Sequence, residues 1–503
     1  MTTKTLEEWS AAAEAVDPRR DIFIGGEWHE SHSGDRFDSV NPATGNIIAE
    51  VASGASEDID AAVRSARTSF EDGRWSALAP RDRGQALLRL AELIEAHGEE
   101  LQLLETIDVG KPIRYSRRVD VGQAASTYAW YGEAADKLYD EIAPTGPDAL
   151  GLITREPVGV VGAVTPWNFP LMINSWKLAP ALVAGNSVVL KPAEQSPLSA
   201  LRVAELAIEA GIPPGVLNVV PGYGETAGRA LGLHPGVDAI TFTGSTDVGK
   251  LFLEYSARSN MKRVSAETGG KTPNIIFADA PDLKYAVGAV GVSIFWNTGE
   301  MCIAGSRLLV VRSIYDEVVE GVAELSGAWA PGDPLDPTTK AGPVVDDAQL
   351  DRVTSYIRRG VEQGARLVVG GNRTMTETGG YYVEPTVFAD VRNDMDIARD
   401  EIFGPVLSII PFDDDAQALS IANDSRYGLS AAVWTSNLGR AHTMAAALQA
   451  GTVWVNNFDT SGITAPFGGY KQSGFGGKDK SLHALDKYTH LKTTWINLGR
   501  GGI

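Results

Sequence analysis

Short, nearly all-apolar runs alternate with amphipathic segments in the middle of the chain. Such runs are typical of strands that are buried on both faces, and four occur in succession: 158–164, 187–190, 217–220 and 239–242. Helical segments lie between them at 198–210 and roughly 226–233. Strands that alternate with helices predict an α/β fold with a parallel, doubly wound sheet and right-handed crossovers.

The alternation returns after residue 270 and predicts a second α/β unit. Strands are expected at 274–277, 307–311, 431–434 and 452–455, and helices at 283–296 and 314–325. Nearer the N-terminus, apolar residues spaced by three and four predict a helix for which Ser56 is the expected N-cap. Residues 140–157 are expected to be an extended connection. The β-rich tail around 488–496 needs the edge of another strand as a partner.

Composition narrows the class of protein. A chain of 503 residues is too long to fold around one compact hydrophobic core, so we expect two or three domains. A net charge of −20 leaves no excess of Lys or Arg with which to bind a phosphate backbone. The single cysteine excludes an intramolecular disulfide and fits a reducing compartment. With no apolar signal-like region at the N-terminus and no apolar stretch long enough to span a bilayer, we expect a cytoplasmic protein.

Cys302 lies between a predicted helix and a predicted strand, where a thiol can face a cleft. A lone cysteine is more often a small residue of the core, so this position alone leaves both interpretations open.

Polar residues also follow the predicted strands, at the end of the sheet where ligands bind in open α/β folds. Asn168 has an amide that could stabilise an oxyanion, although a turn Asn that bonds its own backbone is the alternative. Lys191 and Glu194 could bind a nucleotide ribose, or they could simply be solvated side chains of a loop. Glu267 could be a general base or an ordinary surface carboxylate.

The sequence lacks two kinds of recognisable motif. The glycine-rich turn at 243–250 could bind a pyrophosphate or could be an ordinary helix N-cap, but it matches neither the GxGxxG motif nor the P-loop motif. The histidines do not cluster and one cysteine cannot form a thiolate cage, so we predict no metal site.

Together these stretches resemble the aldehyde dehydrogenase superfamily over about residues 20–497. The resemblance rests on seven motifs in family order: PWNFP at 166–170, KPAE at 191–194, FTGSTDVG at 242–249, ETGGK at 267–271, GEMCIAGSR at 299–307, EIFGP at 401–405 and PFGGYKQSG at 466–474. The residues around Cys302 and in the C-terminal tail are most similar to those of bacterial enzymes that act on aminoaldehydes, such as γ-glutamyl-aminobutyraldehyde dehydrogenases.

The resemblance implies a fold and an activity. The fold would have a Rossmann-like NAD-binding domain (1–139 and 158–269), an α/β catalytic domain (270–467) and small β oligomerisation segments (140–157 and 480–503), assembled as a homodimer or homotetramer. The activity would be NAD-dependent oxidation of an aldehyde to a carboxylic acid through a thiohemiacetal and a thioester.

The resemblance also assigns roles to residues. Cys302 would be the nucleophile, Glu267 the general base, and Asn168 with the Cys302 N–H the oxyanion hole. Lys177 would relay protons with an acid, which is expected to be Asp479 because one extra residue precedes it here. The site is expected to favour the Cys302 thiolate through nearby backbone N–H groups and the cationic nicotinamide ring of NAD.

The implied cofactor and substrate residues form two sets. The residues expected to bind NAD rather than NADP are Thr165, Pro166, Trp167, Lys191, Glu194, Gly224, Gly244, Ser245, Gly249, Glu401 and Phe403. Those expected to line the substrate tunnel are Phe169, Ile173, Trp176, Met301, Phe458, Asp459 and Ser461. Asp459 could pair with a substrate ammonium or simply cap a turn.

Two other classes of function stay open on the residues alone. A cysteine hydrolase that works without a cofactor would need a histidine partner, and none lies in a recognisable motif. A non-catalytic structural protein of the same fold would have no need to combine Cys302, Glu267 and Asn168.

Overall fold

Two large sheets form the framework of the protein. The structure is a computed structural model that describes residues 4–460 and 462–499. The first sheet has eight strands, in the order Gly474–Phe475, Arg263–Glu267, Ala239–Thr243, Val160–Val164, Ser187–Lys191, Leu217–Val219, Ile22–Ile24 and Glu27–His29. Its five central strands are parallel, while both edges are antiparallel. The predicted doubly wound sheet is confirmed.

The second sheet has seven strands and carries the other half of the molecule. Their order is Arg366–Val369, Thr386–Ala389, Val406–Phe412, Arg307–Val311, Pro273–Ile276, Ser430–Trp434 and Thr452–Val455. All neighbours are parallel except the first pair. The second α/β unit is therefore also confirmed.

Buried apolar residues cover both faces of each sheet, because successive side chains of a strand point to opposite faces. In the first sheet Val161 and Ala163 belong to one core cluster, and Val160 and Val164 belong to another. The second sheet divides in the same way, with Ile275 on one side and Ile276 on the other. This two-sided burial explains why the strands read as unbroken apolar runs.

Helices connect and cover the strands. They are Leu6–Ala15, Ser56–Glu71, Pro80–Ala96, Gly98–Val109, Ile113–Tyr115, Gly122–Ala134, Pro170–Val183, Leu198–Glu209, Arg229–Leu233, Thr246–Ala257, Leu283–Phe295, Tyr315–Ser326, Asp347–Glu362, Asp396–Arg399, Asp415–Asn423 and Leu438–Ala447. Within residues 4–460 and 462–499, no helix is long and apolar enough to cross a membrane.

A three-stranded sheet stands apart from the other two. Strand Thr489–Asn497 pairs antiparallel with Ala149–Pro157 along its whole length, and Glu141–Ala143 pairs with the other edge of that strand. The prediction that the tail needs a partner edge is confirmed, and the connection at 140–157 contributes that edge. A separate hairpin joins Arg36–Val40 to Ile47–Ala52.

Two local predictions are wrong in detail. Ser56 is the first residue of the helix rather than its cap, and Ala55 holds the cap position. The carboxylate of Asp58 accepts hydrogen bonds from the N–H groups of Ala55 and His32, both at 2.9 Å. The side chain that bonds the cap residue therefore belongs to the first turn of the helix. The strand predicted from residue 158 begins at Val160 because Gly159 has a φ of 126°, which is not an extended conformation.

Candidate active site

The carboxyl end of strand Arg263–Glu267 in the first sheet leads, through residues 268–272, directly to the amino end of strand Pro273–Ile276 in the second. In the first sheet the strand order reverses between Val160–Val164 and Ala239–Thr243. Ligands bind at such a switch point in open α/β sheets. The loops that follow these two strands are those that the sequence singled out.

Cys302 lies in the cleft between the sheets, in an irregular segment that precedes strand Arg307–Val311. Asn297 and Thr298 have left-handed φ angles of 49° and 54°, which turn the chain sharply after helix Leu283–Phe295. A β-carbon at Gly270 would collide with the carbonyl oxygen of Cys302. The cysteine backbone is therefore held tightly against the link between the sheets.

The surroundings of the thiol disfavour its ionised form. Burial raises the pKa of Cys302 to about 12, and the nearby carboxylates of Glu401, Glu267 and Asp459 contribute to the increase. Without the cofactor, a thiolate here would lose water and lie near acidic side chains. The expectation that backbone N–H groups and the nicotinamide ring favour the thiolate stays a prediction for the enzyme with NAD bound.

Asn168 is fixed beside the cysteine segment. Its side-chain amide donates a hydrogen bond of 2.9 Å to the carbonyl oxygen of Glu300, two residues before Cys302. Asn297 donates to the same carbonyl at 3.2 Å and to the backbone oxygen of Asn168 at 3.3 Å. Sequence reasoning missed Asn297, because a buried Asn in a short 3₁₀ turn carries no pattern of its own.

Glu267 ends a strand of the first sheet and is 2% exposed. Its Oε2 accepts a hydrogen bond of 3.2 Å from the N–H of Gly469, while Oε1 has no hydrogen-bond partner among the described residues. Burial raises the pKa of Glu267 to about 8, with Asp479 adding to the increase and Lys177 opposing it. A half-satisfied carboxyl group near neutrality is suited to exchange protons.

A buried ion cluster lies behind Glu267. Lys177 Nζ lies 2.6 Å from Oδ2 of Asp479 and 3.4 Å from the carbonyl oxygen of Phe242. The expected pairing of Lys177 with Asp479 is therefore present. Lys487 contacts the other oxygen of Asp479, and it was missed because a lysine near the C-terminus normally predicts a solvated side chain.

The predicted ribose residues form an ion pair. Lys191 Nζ lies 2.9 Å from Glu194 Oε2, at the end of strand Ser187–Lys191. The N–H of Thr165 donates to the Lys191 carbonyl at 3.3 Å, so the neighbouring loop with Pro166 and Trp167 is attached to the same strand end.

The glycine-rich turn forms a helix N-terminus with open space beside it. Ser245 caps helix Thr246–Ala257 by accepting a hydrogen bond of 3.3 Å from the N–H of Val248. A cavity of about 210 Å³ adjoins the first turn, and a β-carbon on Gly249 would lie only 2.9 Å from Thr268. Glycine at this position keeps the backbone accessible, which suits a pyrophosphate at the positive end of the helix dipole.

The four remaining predicted cofactor residues lie in separate loops and turns. Glu401 accepts a hydrogen bond of 2.9 Å from the N–H of Gly270, and burial raises its pKa to about 7. The ring of Phe403 lies edge-on to Trp167, with centroids 5.2 Å apart. Gly244 follows strand Ala239–Thr243, and Gly224 begins a π-helical turn after strand Leu217–Val219. The residues present fit NAD, with a cradle for phosphate and an acid beside a lysine for ribose.

A cavity of about 100 Å³ opens onto Cys302. Its described lining residues are Val119, Gln123, Phe169, Met172, Ile173, Trp176, Trp296, Met301, Cys302, Ile303, Asp459, Phe467 and Lys480. Five of the predicted substrate residues are therefore brought together here. Phe458 instead packs against Trp454, with ring centroids 4.9 Å apart, and Ser461 lies outside the described residues.

Sequence reasoning missed the charged residue Lys480 in this cavity, because the sequence of the segment suggests an exposed loop.

In the described part of the chain, no group of three or more His, Cys, Asp or Glu side chains is placed to hold a metal ion.

Comparison with known proteins agrees with this architecture. The profile of the aldehyde dehydrogenase family matches residues 28–494. The NADP/NAD-dependent aldehyde dehydrogenase PuuC of Escherichia coli (strain K12) is 52% identical over 498 residues, which are 99% of this chain and 100% of that protein.

Solved structures match equally well. An indole-3-acetaldehyde dehydrogenase complexed with NAD+ superposes with a TM-score of 0.98 at 56% identity, covering 99% of this chain and 100% of that one. The gamma-glutamyl-gamma-aminobutyraldehyde dehydrogenase from Burkholderia cenocepacia J2315 superposes with a TM-score of 0.97 at 54% identity, covering 98% and 100%.

The two sheets, the switch point and the cleft between them define a dinucleotide-dependent oxidoreductase. The chain belongs to the aldehyde dehydrogenase family. It is an enzyme that oxidises an aldehyde to the carboxylic acid with NAD as cofactor.

Proposed function

We propose that the reaction takes place at Cys302, with Asn168 and the backbone N–H of Cys302 as the oxyanion donors. The observation that supports this most strongly is that Cys302 opens onto a substrate-sized cavity while the Asn168 amide is anchored two residues away, at Glu300. A cysteine hydrolase is less well supported, because no histidine is among the described residues that line this cavity.

The chemistry follows from these positions. As Sγ of Cys302 attacks the aldehyde carbon, its proton passes to the nearby carboxylate of Glu267, and a tetrahedral thiohemiacetal forms. The amide donors stabilise the oxygen of this intermediate, each contributing about 3 kcal/mol as similar donors do elsewhere. NAD, when bound, supplies the acceptor for the hydride that leaves this carbon. The product on Cys302 is a thioester, which water hydrolyses to the carboxylic acid.

We propose that Glu267 removes the proton from that water. Its unpartnered Oε1 is available to a water molecule, and its pKa of about 8 allows it to accept and release a proton near neutrality. Lys177 and Asp479 lie behind Glu267 and are proposed to pass the proton onward. A general base at this position favours hydrolysis over transfer of the acyl group to a thiol such as coenzyme A.

The substrate is proposed to be an aminoaldehyde, within a range that extends to aliphatic aldehydes. Asp459 lines the cavity, and it supplies a carboxylate for a substrate ammonium. A relative is named for such a compound, the aminoacetaldehyde dehydrogenase of Pseudomonas aeruginosa, which is 47% identical over 491 residues.

The assembly is proposed to be a homodimer or homotetramer built through the three-stranded sheet. Its surface exposes large apolar side chains, among them Ile142 at 70%, Leu491 at 64% and Trp495 at 66%. Size-exclusion chromatography of Trp495→Asp beside the wild type tests the assembly, and an unchanged size argues against this interface.

We also propose the domain division given by the sequence resemblance, and a cytoplasmic location in which the single thiol stays reduced.

The test of the reaction is the Cys302→Ala variant. We expect it to form no NADH from an aldehyde while it still binds NAD, measured by absorbance at 340 nm and by quenching of tryptophan fluorescence. Full NADH formation by this variant overturns the assignment of the nucleophile.

A further inference from the structure

A buried charge cluster lies behind the wall of the cavity that opens onto Cys302. Lys111 Nζ lies 2.7 Å from Asp120 Oδ1, and the two side chains are 1% and 0% exposed. Glu105 is buried beside them, and its carboxyl group interacts electrostatically with both. None of these three is among the described residues that line the cavity. The proposed reaction does not use them, and charged side chains are seldom buried without a partner or a function.

The protonation states of the cluster follow from its surroundings. Burial raises the pKa of Glu105 well above its usual range, and the neighbouring Asp120 adds to the increase. Burial raises the pKa of Asp120 as well, but Lys111 opposes that increase through its charge and its hydrogen bond. Glu105 is therefore the acid that keeps its proton, and Lys111 and Asp120 form the ion pair. Glu300, which also feels the charge of Lys111, is kept neutral by burial in the same way.

Lys111 supports the cavity wall from behind. Its Nζ is 4.0 Å from the ring centroid of Phe169. Phe169 lines the cavity and packs against Trp296, another residue of the lining, with ring centroids 5.5 Å apart. A cation that has lost its water is stabilised by the face of an aromatic ring. The contact therefore holds the ring of Phe169 in place, one residue after the proposed oxyanion donor Asn168.

Glu105 fixes the helix that follows this loop. Its Oε1 accepts a hydrogen bond of 3.3 Å from the N–H of Leu171, in the first turn of helix Pro170–Val183. An N–H group at this position has no partner within its own helix, so the carboxyl group caps the helix. Three residues of the cavity lining come from this helix: Met172, Ile173 and Trp176.

Asp120 attaches a third element to the cluster. It lies in the π-helical turn Ser116–Val121, and the residue before it, Val119, lines the cavity. Such turns are rare and occur frequently at functional sites. Because Asp120 is paired with Lys111, this turn and the ring of Phe169 are held to the same ammonium group.

We propose that Lys111 is a positioning residue for aldehyde oxidation: it holds Phe169 from behind and so fixes the wall against which the tail of the aldehyde packs. Asp120 keeps the ammonium group charged and in place, and Glu105 contributes as a neutral hydrogen-bonding group. This inference rests on the proposed function, since it requires the aldehyde to react at Cys302. Lys111 acts through the ring of Phe169, and it thereby selects for aldehydes with a tail that reaches that ring.

The test compares phenylacetaldehyde, which has an aromatic tail, with acetaldehyde, which has no tail to pack against the wall. Lys111→Met keeps an unbranched side chain and removes the charge. It should raise KM for phenylacetaldehyde about tenfold, as expected for loss of a desolvated cation–π contact, and change KM for acetaldehyde and kcat for both much less. A general loss of structure would instead lower kcat for both aldehydes together, and that result would overturn the proposal.

A double-mutant cycle tests whether Lys111 acts through Phe169. Phe169→Leu removes the ring and keeps an apolar side chain. In that background Lys111→Met should change KM for phenylacetaldehyde by less than about twofold, because the contact is already lost. The proposal is overturned if Lys111→Met has the same effect in both backgrounds, or if it leaves KM of the otherwise wild-type enzyme unchanged. If Lys111→Met does not fold by circular dichroism, Lys111→Gln replaces it in the same cycle.

Two amide substitutions test the charges of the cluster. Asp120→Asn deprives the Lys111 ammonium group of its carboxylate, so that burial favours the uncharged amine, and it should raise KM for phenylacetaldehyde as Lys111→Met does. Glu105→Gln replaces a neutral acid by a neutral group of the same shape, and it should raise this KM much less. Equal effects of the two substitutions would overturn the assignment of the ion pair.

The matched control is Lys284→Met, which removes one positive charge from an exposed position on helix Leu283–Phe295. It should leave KM unchanged for both aldehydes. Failure of the proposed function has a different signature, since it would appear as NADH formation from acetaldehyde by Cys302→Ala, whatever the residue at position 111. A changed ratio of the two KM values, with Cys302 intact, reports on Lys111 alone.

Discussion

Lys177 Nζ lies 2.6 Å from Oδ2 of Asp479, and both side chains are at most 1% exposed. The other carboxylate oxygen of Asp479 contacts the ammonium group of Lys487, which is 2% exposed. The pKa of Asp479 is lowered, since the two lysines outweigh the effect of burial. One buried carboxylate is thus shared by two lysines directly behind Glu267, and four predictions follow from this and the neighbouring contacts.

Asp479→Asn should destabilise the fold strongly. It leaves two buried ammonium groups without a carboxylate partner, and breaking a buried pair in this way costs about 3–5 kcal/mol. The measurement is the free energy of unfolding in urea. Asp413→Asn is the control, because Asp413 pairs with Arg312 on the surface and its loss should change little. Equal effects of the two substitutions would contradict the role of the buried cluster.

The rate of thioester hydrolysis should rise with pH. The base form of Glu267 is required, and since its pKa is raised to about 8 it is mostly protonated at neutral pH and loses its proton as pH rises through that value. We expect kcat to increase between about pH 7 and pH 9 where hydrolysis limits turnover.

Glu267→Gln provides the matched comparison. It should show a burst of NADH, an accumulated acyl-enzyme detectable by intact-protein mass spectrometry, and no such pH dependence. A rise in kcat of the same size in Glu267→Gln would assign the titration to another group.

Glu194→Gln should weaken the preference for NAD over NADP. The Glu194 carboxylate, 2.9 Å from Lys191, is placed to accept hydrogen bonds from ribose hydroxyls and to repel a 2′-phosphate. The amide keeps the shape and removes the repulsion, so the ratio of KM for NADP to KM for NAD should fall. Glu209→Gln, at the exposed end of helix Leu198–Glu209, is the control. An unchanged ratio in Glu194→Gln would remove this residue from cofactor selection.

Asp459→Asn should reduce the preference for cationic aldehydes over alkanals of the same length. The carboxylate has a pKa raised to about 6, chiefly by burial, and Lys480 opposes the increase. It therefore loses its charge as pH falls through about 6, and in the wild type the preference should weaken over the same range. Measuring kcat/KM for both aldehydes at several pH values checks both statements. A preference that is identical in Asp459→Asn would show that Asp459 is a turn residue.

Much of the fold follows from the sequence because its strands are buried on both faces. Runs such as Val160–Val164 and Ser187–Lys191 have no polar face, and this composition itself indicates a parallel sheet covered by helices. The topology also fixes the edge of the sheet at which Asn168, Glu194 and Glu267 lie. The residues alone left their roles open, and the family resemblance assigned them.

The missed features depend on contacts between distant parts of the chain. Lys480 and Lys487 lie in a segment whose sequence suggests solvated side chains, and their burial comes from distant residues that include Trp176, Phe467 and Asp479. The pKa of the Cys302 thiol likewise depends on Glu401 and Glu267, which are far from it in sequence. No local pattern contains this information.

The protonated state of Cys302 has a consequence for the lifetime of the enzyme. Peroxides and alkylating agents react with thiolates and only slowly with thiols. A thiol whose pKa is raised to about 12 is therefore protected from oxidation to sulfenic and sulfinic acids while the enzyme is idle. The burial that opposes ionisation of the resting cysteine thus also protects the single thiol of the chain from irreversible damage.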